Sequence, residues 1–260
     1  LFVLPQLPDG DAWQLGLDVR ARLPEMPVVL LTPREEMPRE LRDADRRRRA
    51  VDRVFTWTGL DDGWFAFIKC VEDRLNADFD TALGGVQVIV AADGSPGRLA
   101  RLLPVLYREI VGQTRSVIEE GFNESDRLLR RRTRPKILAA DSLEEAERLV
   151  EQFGPHLLGV IAGRDLPRDG GPGTDAGGEL LAAVRERYPH AALLLMAPGA
   201  AAVGRDAGGL PVLADDSRTW AANLAHFVRE HMGFGDFTFR LPDGTEVARV
   251  DRSDALVAIL

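Results

Sequence analysis

The sequence predicts an α/β protein organised on a doubly wound parallel sheet, with one truncated copy of the unit ahead of one complete copy and a β-hairpin behind. Three observations carry this. Short apolar runs alternate with amphipathic helical stretches along the chain, the pattern of strand–helix alternation. Leu157–Ala162 is too short for a helix and is flanked by turn residues, so it reads as a strand buried on both faces. The polar stretch from Gly163 to Gly170 then marks its carboxyl end, the edge where ligands bind in open parallel sheets. Third, the chain repeats itself. Arg20-Ala-Arg-Leu-Pro24 followed by Leu30-Leu-Thr-Pro33 matches Arg185-Glu-Arg-Tyr-Pro189 followed by Leu194-Leu-Met-Ala-Pro198, with a proline spacing of nine in both. Leu7-Pro8 likewise matches Leu166-Pro167, and Val71 to Phe79 matches Val228 to Phe237.

Taken in order, Leu1–Leu4 is a strand, Gln6–Asp11 a polar loop, Ala12–Leu23 a helix and Val28–Leu31 a second strand. Arg34 to Arg49 reads as a solvated, charge-rich helix. Arg53–Trp57 is a third strand, and Asp61–Asn76 a helix whose Trp64, Phe65, Ile68 and Val71 share an apolar face. Gly84 and Gly85 open the second unit. Its strands are Val86–Ala91, Lys136–Ala140, Leu157–Ala162, Leu193–Met196 and Pro211–Ala214, and its helices Arg98–Glu120, Leu143–Phe153, Ala176–Arg187 and Thr219–His231. Asp141 or Ser142 suits the N-cap of the second helix. Five strands alternating with helices make a complete flavodoxin-like unit. Phe237–Leu241 and Glu246–Val250 flank Pro242-Asp-Gly-Thr245, a hairpin signal, and Asp254–Leu260 begins another helix. The domains are therefore expected at 1–83, 84–233 and 234–260, the last being the hairpin and the start of a following domain.

Composition narrows the function. A formal charge of −8 argues against a general polyanion binder, so no nucleic acid is expected as partner. Five arginines in Arg127–Arg134 have no interleaved aromatics and read as a solvated linker or an intramolecular clamp. Gly170–Gly178 has neither a dinucleotide fingerprint nor a following Lys-Ser/Thr, and reads as a loop rather than a phosphate cradle. Trp57, Trp64 and Trp220 suit core or interdomain packing. One cysteine, Cys70, rules out an intrachain disulfide and fits a reducing cytoplasm. The four histidines lack metal-ligand spacing, and no apolar run reaches membrane-spanning length. The chain opens in mid-strand without Met or a basic flank, which suggests a fragment of a longer polypeptide. On that reading the first unit lacks its opening β-α-β-α, and Leu1–Leu4 should be an open sheet edge or be paired with another element.

A strand followed by Leu166-Pro167 and a Gly-containing loop, midway through a five-stranded α/β unit, resembles the receiver domain of bacterial response regulators. The resemblance implies a phospho-acceptor Asp at the strand end, two acids after the first strand holding Mg²⁺, a Ser/Thr after the fourth strand and a Lys after the fifth. Phosphoryl transfer to a carboxylate gathers negative charge that a metal and a fixed cation must offset. Further segments, namely Leu106-Tyr-Arg-Glu109, Glu120-Gly-Phe-Asn123, Arg130–Ala139, Val54–Gly59, Val71–Asn76, Leu158–Ile161 and above all Gly233–Gly244, resemble tandem receiver-like modules that precede phosphoenolpyruvate synthase-like, PEP/pyruvate-binding kinase regions in bacteria.

Against that pattern the acceptor positions fall on Leu4 in the first copy and Gly163 in the second, neither of which can be phosphorylated. The only lysines, Lys69 and Lys136, lie in a helix and at the start of the second strand, so the strand-five lysine is missing and no cation is expected in the crevice. Ala197 replaces the Ser/Thr, which Thr32 keeps in the first copy. Asp93 alone remains of the metal-binding acids; with Asp165 it forms either a residual Mg²⁺ site or a solvated acidic pair, and Asp215 and Asp216 add negative charge nearby. The expectation is a degenerate, non-catalytic regulatory module without cofactor, cytoplasmic, forming the N-terminal part of a PEP synthase-like kinase. It would act through other domains of the same polypeptide, with a histidine kinase or a second copy as further partners. The alternatives are a receiver phosphorylated on Asp165 or Asp93 in a phosphorelay, and a nucleotide-binding α/β enzyme.

Overall fold

Val88–Ala92 is apolar and buried at every position, and such a strand has to lie inside a sheet covered on both faces. The computed structural model places it there and describes residues 1–7, 10–33, 47–57, 59, 61–119, 134–168, 171, 173–199, 203–233, 237–240 and 246–250. The strands are β1 (Phe2–Val3), β2 (Gln6–Leu7), β3 (Gly10–Asp11), β4 (Val29–Thr32), β5 (Arg53–Thr56), β6 (Val88–Ala92), β7 (Lys136–Ala140), β8 (Leu157–Gly163), β9 (Ala192–Met196), β10 (Val203–Arg205), β11 (Pro211–Leu213), β12 (Phe237–Arg240) and β13 (Glu246–Val250). The helices are α1 (Ala12–Arg22), α2 (Asp61–Gly84), α3 (Pro96–Glu119), α4 (Leu143–Phe153), α5 (Ala176–Arg187) and α6 (Trp220–His231). Most of the helical stretch expected from Arg34, the arginines before Arg134, the Pro242–Thr245 turn and the helix expected at Asp254–Leu260 lie outside the described residues.

The larger sheet has the order β10-β11-β9-β8-β6-β7, parallel except where β10 meets β11. Counted from β6, its parallel strands run 2-1-3-4-5, the flavodoxin-like winding. Alternate side chains serve opposite faces. Ile89, Ala91, Ile137 and Ile161 pack with α3 and α6, while Val88, Val90, Leu138 and Val160 pack with α4 and α5. Ser142 caps α4, its Oγ accepting from the Glu145 amide at 3.3 Å. Two short pairings depart from the sequence reading: β10 forms within the Gly/Ala-rich connection, and β2 pairs antiparallel with β3 inside the expected polar loop. Both are too short for an alternating pattern to show. Strands β12 and β13 pair antiparallel with a register shift at Phe239/Arg240.

The smaller parallel sheet has the order β1-β4-β5. Strand β1 is its edge, paired on one side with β4, and Phe2 meets Trp64 edge-on at 5.1 Å between ring centroids. One face of this sheet packs on α1. The other, with Val29, Leu31 and Phe55, joins the same apolar core as Ile89 and Ile161 through α2 and α3. Helix α3 is thus a wall shared by both sheets.

Helix α2 runs to Gly84, eight residues beyond the expected end, and Gly85 follows in the left-handed region (φ 60°) that glycine adopts without strain. Its buried side matches the expected one only in Trp64 and Val71, which are half-buried against the core. Gly63, Ala66, Phe67, Cys70, Asp73, Ala77 and Thr81 face inward, whereas Phe65 and Ile68 are about half exposed and Leu75, Phe79 and Leu83 more so. The small residues let α2 approach the core closely, so the bulkier stripe is turned outward. Burial pushes the Cys70 thiol up to about 11, which leaves it protonated and inert at neutral pH.

Buried charges join the two sheets. Arg53 of β5 makes two bonds to Glu145 of α4 (2.6 and 3.0 Å) and one to the Ala139 carbonyl of edge strand β7 (2.6 Å). Arg47 binds Asp141 at 2.6 Å. On α2, the buried Asp73 receives Arg134 in a two-pronged pair, the Tyr107 hydroxyl at 2.8 Å and the Ile137 amide at 2.9 Å. Arg134 therefore acts as an intramolecular clamp. Burial alone would raise the Glu145 pKa, but Arg53 outweighs it and holds the carboxyl near 2, against an ordinary 4.5. A depressed carboxyl contributes stability that is complete above about pH 4.5 and is lost as pH falls towards 2. Arg53→Met should therefore destabilise the protein by about 3–5 kcal/mol at neutral pH, because Glu145 stays buried without its partner. In urea denaturation the gap to wild type should narrow on acidification; a gap that is absent at neutral pH, or widens in acid, would refute this role for the pair.

Candidate functional site

Strand β6 lies between β7 and β8, so the winding reverses at its carboxyl end and opens the crevice where α/β sheets place ligands. Asp93 follows β6, Gly163 ends β8, Ala197 follows β9, and Asp215 lies two residues beyond β11. The first turn of α3 adds Arg98. These five positions carry most of the crevice chemistry, and the structure brings together four that the sequence reading singled out, Asp93, Gly163, Ala197 and Asp215, with Arg98, which it did not.

Asp93 is fully buried. Its carboxylate accepts the Ser95 amide at 2.8 Å and the Arg98 Nε at 2.8 and 3.0 Å. The same Nε lies 3.7 Å from the Asp215 carboxylate, which is also buried and has one oxygen without a hydrogen-bond partner among the described residues. Burial raises the Asp93 pKa, with Asp215 adding to the rise, while Arg98 and the Ser95 amide hold it down. Burial would lower Arg98, but Asp93 and Asp215 outweigh it and keep the guanidinium charged. The crevice thus has a cation after all. It comes from a helix rather than from strand five and is arginine rather than lysine, so a search for lysine misses it; the available signal is an Arg five residues after Asp93 at a strand-to-helix turn.

The Gly163 position is closed by the same arrangement. A Cβ on Gly163 would stand 2.4 Å from Asp93 Oδ2, well inside contact distance. The space of a side chain at this position is therefore filled by the Asp93 carboxylate. Ala197 is buried and offers no hydroxyl. Next to Arg98 and Asp215, the hollow that also touches Arg101, Met196 and Trp220 has no room for a water-sized solute. Asp165 is exposed and acts on Arg98 only through space. Asp216 is exposed and accepts the Gly199 amide at 3.0 Å.

The donor set does not fit a Mg²⁺ ion. Both Asp93 oxygens are taken by Arg98, Gly163 brings no carboxylate, and a hard dication needs several free oxygen ligands. No group of three His, Cys, Asp or Glu side chains able to hold a metal ion occurs among the described residues. The lysines lie elsewhere: Lys136, at the opposite end of its strand, pairs with Asp80 at 2.6 Å, and Lys69 pairs with Glu72 at 2.5 Å. In the first unit, Leu4 is half exposed after β1, while Thr32 and Thr56 are buried at the ends of β4 and β5.

No family model matches the chain, and no curated protein matches it. Among solved structures it is similar to the crystal structure of a response regulator receiver domain protein from Clostridium thermocellum, at 13% identity and a TM-score of 0.36, over 57% of this chain and 95% of that one. None of the described helices is long and apolar enough to cross a membrane.

Gly163→Ala should destabilise the protein by about 1–3 kcal/mol through overpacking against Asp93. In an Asp93→Ala background the same change should be nearly neutral, a coupling of about 1–3 kcal/mol readable by thermal denaturation. Equal effects in both backgrounds would mean that the two residues do not share this space.

Proposed function

We propose that this chain is a receiver-like regulatory module whose phosphorylation centre has been replaced by a fixed internal ion cluster. One observation carries the reading: the Asp93 carboxylate, held by Arg98, fills the space that an acceptor side chain at Gly163 would need. Phosphoryl transfer to a carboxylate requires an accessible acceptor and a metal to offset its charge. Here the residual acid is buried and neutralised from within. Asp165, the exposed acid, has a cation nearby and belongs to no group of three His, Cys, Asp or Glu side chains able to hold a metal ion among the described residues.

On this reading the chain is not an enzyme and needs no cofactor. Two receiver-derived copies pass a conformational bias through the contacts that join them. The tandem repeat and the segments around Gly233–Gly244 support placement in the cytoplasm, as the regulatory part of a PEP synthase-like kinase. Other domains of that polypeptide are the natural partners.

Trp220 lies beside Asp215, with the Arg101 guanidinium 5.7 Å from its ring centroid, so its fluorescence should report any change in the crevice. Acetyl phosphate or beryllofluoride with Mg²⁺ should leave this fluorescence unchanged and yield no aspartyl adduct by mass spectrometry. A saturable, Mg²⁺-dependent response abolished by Asp165→Asn would favour the phosphorelay reading instead.

A further inference from the structure

Between the smaller sheet and the outer edge of the larger one lies a cleft of about 330 Å³. Five arginines line it: Arg20 of α1, Arg48 just before β5, Arg53 of β5, Arg74 of α2 and Arg148 of α4. Among the described residues only two acids, Asp52 and Glu145, line it with them, in a protein that is otherwise acidic. Both are already satisfied. Asp52 takes Arg20 at 2.5 Å and the Val28 amide at 2.7 Å, and Glu145 takes Arg53 and the Asp141 amide.

That leaves three guanidiniums without a carboxylate at ion-pair distance among the described residues, Arg48 acting on Glu145 only through space. Among the described residues Arg48 reaches the Ser142 hydroxyl at 3.4 Å, and Arg148 the Glu144 carbonyl at 3.2 Å. Arg74 is exposed and makes no hydrogen bond or ion pair among the described residues. An adjoining hollow of about 280 Å³, on the far side of Arg74 and Arg148, adds Glu151 and Gln152 to the surroundings. Val51, Val71 and Leu75 supply an apolar wall beside the charges. Like charges gathered at one opening repel one another unless an anion joins them, and guanidinium forks match phosphate oxygens two at a time. The volume is at the lower end of small-ligand sites.

From this we infer that the cleft binds a small organic phosphate, its phosphate groups held by Arg48, Arg74 and Arg148 and its remaining portion against the apolar wall. Because these arginines come from the segment before β5, from α2 and from α4 on the larger sheet, the ligand would brace the two units. The inference rests on this geometry alone and does not need the crevice at Asp93 to be inert.

Isothermal titration of the full chain with ADP, and separately with inorganic pyrophosphate, tests it. At least one of the two should bind, more weakly as salt is raised, and affinity should fall at least about tenfold in the Arg74→Ala/Arg148→Ala double variant. Both side chains are exposed and stand outside the Arg53 cluster, so the variant should keep the wild-type unfolding transition. Tighter binding of ADP would assign the apolar wall to its organic portion; pyrophosphate alone would reduce the site to a phosphate clamp. No binding of either at about 1 mM, or binding that the double variant leaves unchanged, would overturn the inference.

Discussion

The arrangement of this protein depends on one largely enclosed guanidinium. Arg53 sits at the edge of the smaller sheet and gives its donors to Glu145 and to a backbone carbonyl of β7, the edge strand of the larger sheet. A charge in such a place is tolerated only when its partners are fixed, and an edge strand only when something covers it. The one contact meets both conditions. It also sets how the sheets face each other, since Arg47 with Asp141 and Arg134 with Asp73 repeat the same kind of bond on either side.

The crevice obeys the same electrostatic rule on a smaller scale. Asp93 and Asp215 are two carboxylates in a buried space, and without a cation their negative charges would face each other uncompensated. Arg98 supplies that cation permanently from the first turn of α3. A dissociable metal would leave the site able to respond to its environment. A covalently attached guanidinium makes it a structural element, and the glycine opposite leaves it room.

Much of the fold was legible in the sequence because strand burial and helix amphipathicity are local. Lys136–Ala140, Leu143–Phe153 and Ala176–Arg187 have the bounds that the pattern predicts. The inward face of α2 was not legible: Phe65 and Ile68 look like core residues, and only the tertiary packing shows that Ala66, Cys70 and Ala77 are the ones that fit. The positions Asp93, Gly163 and Asp215 could be read as strand ends. Their pairing with Arg98 could not, because the search followed a lysine pattern. Nor could the bond between Arg53 and Glu145, which are 92 residues apart, be anticipated from charge spacing.

Helix α3 has a consequence of its own. It lies against β5 and α2 on one side and against the larger sheet and α6 on the other, with Leu99, Leu102, Leu103 and Leu106 wholly inside. Any change in its tilt or girth must be accepted by two neighbours at once. A substitution at any one of these leucines is therefore felt in both halves of the chain, and neither half can repack alone.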